Sequence, residues 1–175
     1  MKLKLATLAM TSALAFNANA VDTVSVAWGT HLPFEIANRT VLAAGSFEDF
    51  YSFSLTALAN IFSTAVSINN SDGSVLPEGS VSLLHDLGPA GIDSLDAVVG
   101  NYAFSGLTGN IQHAFLSQGP GNYYYRVSGA AVGLNGDSYS LTSALAPVPE
   151  PQTYALMLAG LGVIGFLARR RRPQA

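Results

Sequence analysis

The sequence predicts an all-β fold, a single antiparallel β-sandwich of jelly-roll-like type, and three observations lead there. Short runs alternate apolar and polar side chains with period two, the pattern of a half-buried strand. Clusters of Gly, Pro, Asn and Asp interrupt these runs at regular intervals. Away from the two ends, no long stretch repeats apolar residues at helical spacing.

The strands follow in order. Val24, Val26 and Trp28 alternate with Ser25 and Ala27. In the second run Phe47, Asp49, Tyr51, Phe53 and Leu55 share one face. Residues 61–68 alternate again, with Phe62, Thr64, Val66 and Ile68 opposite Ser63, Ala65 and Ser67. Runs at 81–85, 97–104, 112–116, 123–127 and 138–145 complete about eight strands. Turn chemistry lies at 69–73, 77–79, 88–91, 119–122 and 135–137. Only 37–44 and 56–62 suit helical turns.

Both ends read as addresses. Lys2 and Lys4 precede an apolar run over 5–16, and Ala18-Asn19-Ala20 supplies small residues for signal peptidase at Ala18 and Ala20. Residues 1–20 are therefore expected to be a signal peptide, with the mature chain starting at Val21. At the other end Pro149, Glu150 and Pro151 keep the backbone extended, because each proline fixes φ and lacks an amide donor. An apolar run over 154–168 and then Arg169, Arg170, Arg171 and Arg172 complete a tail over 147–175. As a transmembrane helix the run spans about 22 Å against roughly 30 Å of hydrocarbon, which suits a temporary anchor. The arginines place its C-terminal end in the cytoplasm. Ala159, Gly162, Gly165 and Ala168 form a ridge of small residues; it reads either as a docking face for another membrane helix or as ordinary membrane-helix composition.

This layout resembles the PEP-CTERM sorting tail of Gram-negative bacteria, which is cut by a membrane protease called exosortase. The resemblance implies an exported protein, held transiently at the inner membrane and then moved to the cell surface or outside. It also implies association with exopolysaccharide or biofilm matrices.

What remains, 21–146, is one domain's worth of chain. It has no lysine, two arginines (Arg39 and Arg126) and ten carboxylates, so its charge is near −8 although the whole chain stands at −3. That excludes a basic nucleic-acid surface. Cysteine is absent, which excludes thiol catalysis and disulfide staples.

Residues 45–53, Gly-Ser-Phe-Glu-Asp-Phe-Tyr-Ser-Phe, resemble the signature of the FxDxF family of PEP-CTERM proteins through Phe47, Asp49 and Tyr51, with Phe53 continuing it. Residues 121–129 resemble the closing strand of that family and are similar to the last strand of pre-peptidase C-terminal domains, which are β-sandwiches. Asp49 shares a face with three aromatics, so its carboxylate must accept strong hydrogen bonds or bind a cation. Two readings stay open: a structural acceptor of backbone amides, or a Ca²⁺ ligand joined by Asp22, Asp72 or Asp137.

No catalytic constellation emerges, and the chain is not expected to be an enzyme. His31, His85 and His113 are far apart, with no H-E-x-x-H. Residues 136–140 end in Ser140 where a nucleophile elbow needs glycine. No metal or cofactor set is assigned. Tyr124 and Arg126 fall on the face opposite Tyr123 and Tyr125; an exposed pair there would stack on sugar rings, and a covered one would simply pack. The expected role is structural or adhesive, the alternative a carbohydrate- or calcium-binding module using Tyr124, Arg126 and Asp49.

Overall fold

A computed structural model describes residues 21–42, 44–69, 73, 75–88, 92–106, 111–133, 136–148 and 151–170. The signal-peptide segment with Ala18 and Ala20, and also Asp72, Pro149, Glu150, Arg171 and Arg172, lie outside the described residues.

The described residues form nine strands and one helix: β1 Ser25–Thr30, β2 Phe34–Val41, β3 Gly45–Leu55, β4 Ala59–Ile68, β5 Gly79–Asp86, β6 Ala97–Phe104, β7 His113–Gln118, β8 Gly121–Ala131, β9 Asp137–Pro147 and α1 Pro151–Arg170. They make two sheets, ordered β1-β3-β8-β5-β6 and β2-β9-β4-β7. Inward side chains of both sheets share one core: Phe47, Tyr51, Phe53, Tyr125 and Val127 from the first meet Ile61, Phe115, Tyr139 and Leu141 from the second. Phe47 stacks on Tyr139 across the gap, centroids 5.6 Å apart. Each such aromatic or branched side chain contributes about 1.5–3 kcal/mol by leaving water.

The core is not purely apolar where the sheets meet. Three tyrosine hydroxyls cross from the first sheet to the second. Tyr51 meets Tyr139 at 2.8 Å, Tyr125 meets Ser143 at 2.9 Å, and Tyr102 meets Ser63 at 2.7 Å. In a chain without cysteine these bonds fix how one sheet sits on the other.

Three expectations change. The sandwich is not wholly antiparallel, since β1 pairs parallel to β3, and Asp22 extends that sense through a bridge to Phe47. Residues 37–44 are mostly strand: β2 pairs with β9 along all eight of its residues. Its pattern is inverted, which hid it. Glu35, Ala37 and Arg39 turn inward while Phe34 and Ile36 are exposed, so apolar residues do not mark the buried face. Residues 56–62 give a bend and then the start of β4.

The third correction concerns the tail. A helix does form over its apolar run, but among the described residues no helix is long and apolar enough to cross a membrane. The helix expected over 154–168 is therefore present, and among the described residues it is short of a full membrane span. Gly160, Gly162 and Gly165 dilute the apolar run, and polar Thr153 and the basic Arg169 and Arg170 take up the helix ends.

The β8–β9 turn depends on a glycine. Gly136 has φ +79, and a Cβ there would sit 1.6 Å from the Val41 carbonyl oxygen. Gly136→Ala should therefore cost about 2 kcal/mol or more in urea unfolding. Gly119, whose Cβ position is open, should tolerate alanine within about 0.5 kcal/mol. Equal midpoints for the two variants would contradict this placement.

Candidate functional site

The residues that resemble the FxDxF signature include one buried carboxylate. Alternation along β3 turns Phe47, Asp49, Tyr51 and Phe53 inward together, and Asp49 is fully buried. Its Oδ1 accepts the Val24 amide at 2.9 Å, and its Oδ2 accepts the Tyr139 hydroxyl at 2.6 Å. Nε of Arg39, from β2, lies 3.4 Å from the same Oδ2. The guanidinium also pairs with Asp22 at 2.8 Å and donates to the Thr40 carbonyl at 2.6 Å. Burial, reinforced by Tyr51 and Asp49 nearby, drives the Tyr139 hydroxyl far above its ordinary range. Tyr139 thus keeps its proton and donates a hydrogen bond to Asp49, leaving Tyr51 to donate to Tyr139.

This arrangement consumes the acceptors a cation would need. Asp22 faces the same arginine, while Asp137 binds the Val132 and Gly133 amides at 2.6 and 3.3 Å. Among the described residues no group of three or more His, Cys, Asp or Glu could hold a metal ion. The geometry at Asp49 is that of a structural acceptor, satisfied by an amide, a phenol and an arginine.

A second buried pair was invisible to spacing arguments. Nε2 of His31 lies 2.7 Å from the Ser143 hydroxyl, 112 residues away, and Nδ1 lies 2.5 Å from the Leu32 carbonyl. A carbonyl only accepts, so Nδ1 carries the proton and Nε2 accepts from Ser143. Burial lowers the His31 pKa, against the pull of Leu32 and Glu35, so the ring is neutral at pH 7. The pair has the connectivity of a base and a nucleophile. Ser143, however, is fully buried and also accepts from Tyr125, whose hydroxyl burial pushes up to about 12. Nothing in the sequence signals this contact, because only the β9 register brings Ser143 under His31.

The other aromatic candidates separate. Tyr123 and Tyr125 point into the core, and Tyr124 and Arg126 point out, as alternation requires. Tyr124 is nevertheless 4% exposed: Asp96, just before β6, accepts its hydroxyl at 2.7 Å, and the Phe50 ring lies beside it. Arg126 is half-exposed and pairs with Glu48. They do not form one exposed stacking face. In the tail Arg169 and Arg170 end α1, Arg170 lies over the Phe166 ring at 5.8 Å, and the described apolar side chains of the helix are exposed.

Two outcomes test this site. Asp49→Ala should cost about 3–5 kcal/mol, since it strands Arg39 and the Val24 amide, and the loss should be equal in calcium and in EDTA. A loss confined to calcium buffer would contradict the geometry. His31 makes a prediction about pH. Its folded pKa is depressed below 6.5, so the unfolded chain binds the extra proton and stability falls as pH drops below that value. The melting temperature should be level just above pH 6.5 and decline below it, and His31→Gln should remove the part of the decline that precedes carboxylate titration. An unchanged profile would refute a buried neutral His31.

No curated protein sequence matches the chain. Among solved structures it is similar to PliG of Aeromonas hydrophila, a periplasmic inhibitor of g-type lysozyme, at 12% identity over 73% of this chain and 100% of that one, with a TM-score of 0.45. It is similar to the pre-peptidase C-terminal domain of a Bacillus anthracis collagenase at 16% identity, covering 68% and 93%, with a TM-score of 0.35. It is also similar to CorA, a surface-associated copper-binding protein of Methylomicrobium album BG8, at 10% identity, covering 72% and 100%, with a TM-score of 0.40. Likenesses this distant carry nothing about function. The C-terminal match is of another kind: residues 147–172 fit the PEP-CTERM protein-sorting motif, so the chain carries a sorting signal that implies export and processing by exosortase.

Proposed function

We propose that this chain is an exported cell-surface or extracellular-matrix protein with a structural or adhesive role linked to exopolysaccharide or biofilm, and that it performs no catalysis. The observation that carries the reading is the sorting motif beginning at Pro147, where β9 ends, so that the address follows directly on a finished domain. On this reading residues 1–20 are a signal peptide removed after Ala20, 21–146 are the delivered domain, and 147–175 are the discarded tail. Pro149, Glu150 and Pro151 present the recognition segment, and Arg169, Arg170, Arg171 and Arg172 hold the tail on the cytoplasmic side. Phe47, Asp49, Tyr51 and Phe53 are the FxDxF signature, and their inward placement supports a role in building the domain.

Supporting the non-catalytic half, the buried hydroxyls of Tyr51, Tyr125, Tyr139 and Ser143 and the ring of His31 are bonded to one another or to Asp49. Supporting an adhesive surface, the outward residues of the second sheet include Phe34, Ile36, Phe62, Thr64 and Thr142, with no charge among them. An uncharged face on a domain near −8 meets another surface without like-charge repulsion.

Intact mass of the protein recovered from the native host's membrane and medium tests the processing. The expected species starts at Val21 and ends near 149–151, and replacing Pro149, Glu150 and Pro151 with alanine should leave full-length tail in the membrane fraction. A medium species still carrying Arg169 to Arg172 would overturn the sorting assignment. The matrix role is tested by fractionation: the mature protein should sediment with extracellular polysaccharide, and a freely soluble pool alone would contradict it.

A further inference from the structure

The outer face of the first sheet is not flat. Cross-strand register places Ala27 beside Ser52 and Ser52 beside Tyr124, with Thr30 beside Ser54 and Ser54 beside Asn122 in the next row. The β1 and β3 positions here are small, whereas Phe50 and Tyr124 stand tall next to them, 6.2 Å apart between ring centroids. Ile92, from the segment joining β5 to β6, closes the far side. The result is a trough of about 680 Å³, floored by Ala27, Ser52 and Ser54 and walled by the two rings. That volume falls within the roughly 300–1,000 Å³ of small-molecule sites. At its β5 end lies Asp86, whose Oδ1 is buried and has no donor among the described residues.

From this geometry we propose that the trough is a binding site for a neutral saccharide, with Phe50 packing on the C–H face of a sugar ring, the buried Tyr124 backing that wall, and Ser52, Ser54 and Asp86 taking its hydroxyls.

The lining selects this class against its rivals. A peptide adding as a strand needs a free backbone edge, whereas the serine floor belongs to β3, whose backbone is paired with β1 on one side and β8 on the other. What the trough offers is side-chain hydroxyls and an acceptor, which suits a polyol. An anionic glycan is disfavoured, because the lining includes a carboxylate and no lysine or arginine. The mature domain around it is strongly acidic as well. Asp86 is the carboxylate in the lining to which a sugar hydroxyl can donate. The Phe50 ring attracts polarised C–H groups through its negative face.

The inference deepens the proposed surface role by giving its polysaccharide partner a chemical class and a site. It is tested on purified full-length protein by calorimetry with cellotetraose, maltotetraose and laminaritetraose, and with tetragalacturonate as the anionic probe. At least one neutral tetrasaccharide should bind, and tetragalacturonate should bind more weakly or not at all. Ser52→Tyr, which points outward and fills the trough, should abolish binding while leaving the melting temperature unchanged. Asp86→Asn, which keeps the size but weakens the acceptor, should lower affinity by roughly tenfold. Binding by none of the neutral probes, binding that survives Ser52→Tyr, or preference for tetragalacturonate would each overturn the proposal. Because calorimetry needs no processing, the two readings fail separately. Neutral-sugar binding by a chain that the host never exports would sink the surface role and leave the trough standing. Matrix association that survives Ser52→Tyr would do the reverse.

Discussion

The architecture turns on one buried negative charge. Asp49 has no contact with water, yet it sits in the middle of a strand whose inward neighbours are aromatic. A carboxylate there costs several kcal/mol unless it is paired and hydrogen-bonded, and the fold meets it with groups from three other segments. The Val24 amide comes from the segment leading into β1, and Arg39 comes from β2. The Tyr139 phenol comes from β9 in the opposite sheet, and Tyr51 completes the chain behind it. The unusual features of the sandwich converge on this point. β1 runs parallel to β3, which brings the Val24 amide to Asp49, and β2 turns an arginine inward where an ordinary edge strand would turn a leucine.

The same logic extends along the seam between the sheets. Lacking cysteine, the domain has no covalent staple, and an exported fold of this size commonly relies on one. Directional bonds take that place. Tyr51 to Tyr139, Tyr125 to Ser143 and Tyr102 to Ser63 each join one sheet to the other. Apolar packing alone tolerates sliding of one sheet over its partner, whereas hydroxyl pairs with no water available do not. His31 belongs to this set: its neutral ring caps Ser143, and its edge packs against Phe53 at 4.7 Å.

What was legible in the sequence followed from local periodicity. Alternation over 47–55 assigned Asp49 to an aromatic face, and alternation over 123–127 separated Tyr123 and Tyr125 from Tyr124 and Arg126; both assignments match the structure. The sandwich class and the sorting tail were also readable, because strands with turn punctuation and a cationic stop are local signals. Long-range features were not. β2 broke the pattern because Glu35 and Arg39 face inward while Phe34 and Ile36 face out, a choice that only Asp49, elsewhere in the chain, explains. The pairing of His31 with Ser143 depends on register across 112 residues. Whether Tyr124 is exposed or covered stayed open, because alternation gives a face but does not say that Asp96 meets it there. The trough is a difference in height between neighbouring strands, and no single strand shows it. The tail's helix was legible as a fifteen-residue apolar run, and the same length shows why it falls short of a full span among the described residues.

The polar groups of the interior are thus committed to holding the sheets together, and the outward faces and the tail are left to carry function. The most direct test of that claim is a double-mutant cycle between Asp49 and Tyr139, using Asp49→Asn, Tyr139→Phe and the pair, read by chemical denaturation. If the carboxylate and the phenol act as one unit across the sheets, the losses will be non-additive by about 1 kcal/mol or more. If the single losses simply sum, the two side chains contribute independently, and the buried charge is not the constraint around which this sandwich is built.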